Sequence, residues 1–83
     1  MIHLKKSNHL VIVQRASDWA VYHALFGDLL LVDRQGLDLL NAFSKPLEVC
    51  RAHRRFNHID ESDFWLYIRE LRVRCFLVPT DCN

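Results

Sequence analysis

Asp18–Val32 reads DWAVYHALFGDLLLV, and this stretch decides the fold. Trp19, Val21, His23 and Leu25 fall on one side of an extended chain, with Ala20, Tyr22 and Ala24 on the other. That period of two predicts a strand. Phe26-Gly27-Asp28 is a tight connection in which Gly27 is free to take a positive φ. Leu29 to Val32 is too short for a helix and apolar on both faces, so it reads as another strand. Upstream, His9 to Arg15 (HLVIVQR) is rich in β-branched residues and stops at Ala16-Ser17-Asp18. Tight turns join the three strands, which calls for an antiparallel sheet and argues against a βαβ unit.

Downstream the period changes. Asp33 is placed to cap a helix from Arg34 to about Phe43, with Leu37, Leu40 and Phe43 as its buried stripe. Ser44-Lys45-Pro46 breaks the chain, and Pro46 suits the first turn of a helix ending near Arg55. Leu47, Val49 and Cys50 would face inward there. After Asn57-His58, Asp60 is placed to cap a helix from Glu61 to about Arg72, with Phe64, Ile68 and Leu71 as its core stripe. Asp60, Glu61 and Asp63 stand at its start, and Arg69 and Arg72 toward its end, as the helix dipole favours. Cys75 to Val78 is a short extended end closed by Pro79. The expected class is α+β: a three-stranded antiparallel sheet followed by three helices, in one domain over residues 1–83.

Composition narrows the function. A chain of 83 residues can bury about 64% of its unfolded surface, enough for one modest core. Hydrophobic residues make up 51%, so apolar surface remains for a partner. The net charge of +1 lacks the basic excess of a dedicated DNA-binding domain, although Arg51, Arg54 and Arg55 and then Arg69, Arg72 and Arg74 form local runs. No apolar stretch is long enough for a signal peptide or a membrane span. Three cysteines (Cys50, Cys75, Cys82) without a CxxC pair fit a reducing, cytoplasmic setting.

No set of residues suits catalysis. Cys50-x-x-His53 with His58 is the nearest approach to a metal-ligand set, but it offers one short pair where zinc sites show two. Two glycines cannot build a phosphate loop or a nucleophile elbow. Asp60, Glu61 and Asp63 are explained by helix capping. Neither an enzyme nor a cofactor is expected.

The stretch DWAVYHALFGDLLLVDRQGLDLLNAFSKP, followed by FWLYIRELRVRCFLV, resembles the RiPP recognition element. This is the PqqD-like, winged helix-turn-helix-like domain of ribosomal peptide biosynthesis, and the likeness is strongest to forms that accompany radical SAM peptide maturases. It covers roughly residues 9–78 and rests on hydrophobic pattern. The family's usual glycine before the closing Phe-Leu-Val is absent, and Arg74-Cys75 stands there. The resemblance implies that a precursor's leader segment adds as a strand to the edge formed by Leu29, Leu30, Leu31 and Val32. It implies a helix wall of Trp65, Ile68, Arg69 and Arg72, and a standalone domain whose partner enzyme does the chemistry.

The residues themselves are compatible with that role. No charged gatekeeper interrupts the run between Asp28 and Asp33, as a receptive edge requires. Trp65 and Arg72 share a shoulder of the last helix, a common pairing at interfaces, and Arg69 with Arg72 would select acidic leader residues. Plainer readings stay open. Leu29–Val32 could be a central buried strand, Trp65 core filling, and the arginines a solvated face. Two other functions compete: a winged-helix DNA-binding regulator, and an adaptor that only holds an enzyme.

Overall fold

The computed structural model describes residues 3–80. It is a small α+β fold with two three-stranded antiparallel sheets and three helices. The strands are β1 (His3–Lys6), β2 (Leu10–Gln14), β3 (Trp19–His23), β4 (Leu29–Val32), β5 (Leu47–Glu48) and β6 (Leu77–Pro79). The helices are α1 (Arg34–Ala42), α2 (Val49–Arg55) and α3 (Glu61–Val73).

One sheet runs β2-β3-β4 and is the sheet expected from the alternating sequence. Leu10 stands opposite His23, Ile12 opposite Val21, and Val21 opposite Leu30. These residues face the core, where Val21 and His23 are buried. The turn into β4 is built around His23. Its backbone N–H donates to Asp28 C=O (2.8 Å), and its Nδ1 accepts from the backbone N–H groups of Leu25 (3.3 Å) and Phe26 (3.4 Å). Gly27 takes φ +70°, the left-handed conformation anticipated for it.

The other sheet, β5-β1-β6, departs from the expectation. β1 lies upstream of the predicted strands, and β5 occupies Leu47–Glu48, where the sequence points to a helix from Pro46. Pairing overrides the helix signal. Leu47 stands opposite Leu4 of β1, and Leu4, Leu47 and Leu77 are all buried. α2 therefore begins at Val49, with Ala52 as its buried residue and Cys50 exposed.

The core lies between the sheets and the helices. Leu37, Leu39, Leu40 and Phe43 of the α1 segment meet Phe64, Ile68 and Leu71 of α3, together with Phe76. Asp33 caps α1 as expected, its Oδ1 accepting from the Gly36 N–H at 2.8 Å. Asp60 does not cap α3 through its side chain, which instead accepts from the Ser62 hydroxyl.

α3 ends in a Schellman motif. Phe76 N–H donates to Leu71 C=O (2.8 Å) and Cys75 N–H to Arg72 C=O (3.0 Å). Cys75, with φ 62°, holds the left-handed position that glycine usually fills. No helix among the described residues is long and apolar enough to cross a membrane.

Candidate functional site

β4 pairs with β3 on one side and with no strand on the other among the described residues. Its polar main-chain groups can be assigned by counting from the His23–Asp28 bond. Antiparallel pairs alternate, so Leu30 and Val32 turn their N–H and C=O groups toward β3, and Leu29 and Leu31 turn theirs to the free edge. The side chains alternate in the same rhythm. Val32 is buried and Leu30 half-buried, whereas Leu29 and Leu31 are about half exposed, at 54% and 48%.

A cleft of about 430 Å³ opens between this edge and α3. Leu30, Leu31 and Val32 line it on the sheet side, and Leu66, Tyr67, Glu70 and Leu71 on the helix side. Asp33 and Gly36 close one end, with Asp63 beside them. Gly36 lets the start of α1 come close, since a Cβ there would lie 3.2 Å from Val32 Cβ and 3.4 Å from Tyr67 Cε1. At the other end Arg74 reaches across. It donates to Asp28 Oδ1 at 2.9 Å and approaches Glu70 Oε2 at 3.4 Å, tying the turn before β4 to the last turns of α3.

Tyr67 donates to the Asp33 carboxylate at 3.4 Å and 3.5 Å. Its phenol is held above the usual tyrosine range. Burial is the largest cause, followed by the Asp33 charge, the hydrogen bond to Asp33 and the Asp63 charge.

The expected edge residues and the expected helix wall are not brought together. Leu30, Leu31 and Val32 line the cleft and Leu29 leads into it. Trp65, Ile68, Arg69 and Arg72 instead line a separate shallow concavity with Val73. Ile68 is buried, and Trp65, 43% exposed, packs beside His53 with ring centroids 5.9 Å apart. The reason is angular. At 100° per residue, Trp65, Arg69 and Arg72 flank the Phe64–Ile68–Leu71 stripe on one side, and Asp63, Tyr67 and Glu70 flank it on the other. The second shoulder faces β4. Both are equally visible in the sequence, and only the packing of α3 against the sheet selects between them.

No protein-family model matches the chain, and no curated protein matches its sequence. Among the described residues, no group of three or more His, Cys, Asp or Glu is placed to hold a metal ion. His53 lies against Phe64 (4.8 Å between centroids) and Trp65, in aromatic packing. What the cleft offers is an unpaired strand edge, an apolar floor and a polar rim, a combination suited to an extended chain.

Proposed function

We propose that this domain captures an extended peptide as an added strand on β4, and that the guest is the leader segment of a ribosomally made precursor. On this reading the frame is winged helix-turn-helix-like and PqqD-like, and the domain supplies affinity and register. A separate enzyme, a radical SAM maturase by resemblance, modifies the remainder of the precursor. The supporting observation is the free outer edge of β4 opening directly onto a largely apolar cleft of about 430 Å³. A guest strand would satisfy the outward N–H and C=O groups of Leu29 and Leu31 and set its side chains alternately into the cleft and onto the sheet's outer face.

The test uses a displayed library of short random peptides, followed by amide hydrogen exchange on the bound protein. Selected peptides should slow exchange at Leu29 and Leu31 and leave Leu30 unchanged. Leu31→Pro removes one outward donor without touching a bond to β3, because proline is tolerated on an edge. It should weaken binding by about tenfold or more, from the lost hydrogen bond and its neighbours. Normal binding by that variant would remove β4 from the site.

A second reading, duplex DNA lying along α3, draws on Arg69 and Arg72 exposed beside Trp65. Titration of duplex DNA at two salt concentrations separates it, since phosphate contacts give a steep salt slope. The same face suits the adaptor reading, because tryptophan and arginine are common interface anchors.

A further inference from the structure

The charged residues lining the cleft are all acidic, with Arg74 the cation at one end. The lining includes Asp33, Asp63 and Glu70 and neither lysine nor arginine. Glu70 is partly balanced by Arg74, which is shared with Asp28. Asp33 and Asp63 have no ion-pair partner among the described residues. Arg34, next in sequence to Asp33, is turned to Asp38 (3.3 Å) and to the Trp19 ring (5.6 Å from its centroid). The chain as a whole carries +1, so this acidity is local and does not follow from composition.

Helix capping accounts for part of it: Asp33 caps α1, and Asp63 sits in the first turn of α3. It does not account for Glu70. That residue stands three positions before the end of α3, where the dipole disfavours an acid. Tyr67, whose hydroxyl donates to Asp33 at 3.4 Å, sets no positive charge among these acids.

We infer that the peptide taken by this cleft is cationic: an extended apolar segment with lysine or arginine at positions facing α3. The inference rests on the strand-capture reading above and gives its ligand a chemical class. A lysine or arginine stem would lie along Leu30 and Leu66 while its head reaches Asp63 or Asp33. The sign is opposite to the acidic preference expected from Arg69 and Arg72, because those side chains stand on the other shoulder of α3.

The experiment is selection from the same random peptide library by the full chain, followed by affinity measurements on the selected peptides. Lysine and arginine should be enriched over aspartate and glutamate. Asp63→Lys should weaken the selected peptides about fivefold or more, as the reversal of exposed pairing predicts, whereas the double variant Arg69→Glu, Arg72→Glu should leave them unchanged. Added salt should weaken lysine-bearing peptides more than their glutamine counterparts. Circular dichroism confirms that each variant is folded. Enrichment of neutral or acidic peptides that still lose binding with Leu31→Pro would overturn the charge inference and spare strand capture. Selected peptides indifferent to Leu31→Pro, or no enrichment at all, would remove both.

Discussion

On β5-β1-β6, register puts Leu4, Leu47, Leu77 and Pro79 on the inward face together with Lys6, and His3, Lys5, Glu48 and Val78 on the outward one. On β2-β3-β4, the inward face holds Leu10, Ile12, Trp19, Val21, Leu30 and Val32 with His23 and Gln14 among them, and the outward face is Val11, Val13, Ala20, Tyr22, Leu29 and Leu31. The first sheet keeps the usual division of an antiparallel sheet, apolar inside apart from Lys6 at its end and mostly polar outside. The outward face of the second carries no charged residue and is largely apolar, and five of its six residues are more than 40% exposed. Both sheets are short and sit on one core. The difference leaves the second sheet with an exposed apolar outer face that the first lacks.

Core substitutions should break the comparison most sharply. Leu4→Ala in the first sheet empties a fully buried site and should cost roughly 2–5 kcal/mol. A domain of this length holds on the order of 4–12 kcal/mol in total, so a large part of its stability would go. Urea denaturation measures it, and an effect below about 1 kcal/mol would mean that β1 is not integral to the core.

A gain of stability is expected where α3 hands the chain to β6. Cys75 holds a left-handed conformation that disfavours a side chain, and Cys75→Gly should stabilise by about 1 kcal/mol, seen as a higher Tm. An unchanged or lower Tm would mean that the thiol's packing against its neighbours outweighs the backbone strain.

The smallest effect belongs to the outward face of the second sheet. Val11→Thr with Val13→Thr keeps β-branching and should change stability by no more than about 0.5 kcal/mol per site while improving solubility. A loss as large as that of Leu4→Ala would place those valines in a core and erase the distinction between the sheets.

The second sheet was legible because its strands announce themselves locally, through β-branched runs, alternation and Gly27 at the turn. α1 and α3 were legible for similar reasons, through the Asp33 cap and the Phe64–Ile68–Leu71 stripe, whereas the start and inward face of α2 were misplaced by the signal of Pro46. The first sheet was not. β1 is HLKK, with Leu4 its one apolar residue, and its partners lie in distant parts of the chain. β5 is two residues long, follows a proline that signals a helix start, and exists because Leu47 meets Leu4. The candidate site divides in the same way. The edge strand could be read from LLLV, but which shoulder of α3 faces it depends on the hand of the packing, which no spacing within a single helix records.

The rows across the second sheet carry one more implication. Val11, Tyr22 and Leu29 form one line across its outside, and Val13, Ala20 and Leu31 the next. A guest strand bound beside β4 would lengthen both lines by one residue each. Occupied and vacant molecules would then differ in the width of an oily patch on the far side from the helices, so a third protein could sense loading without touching the cleft.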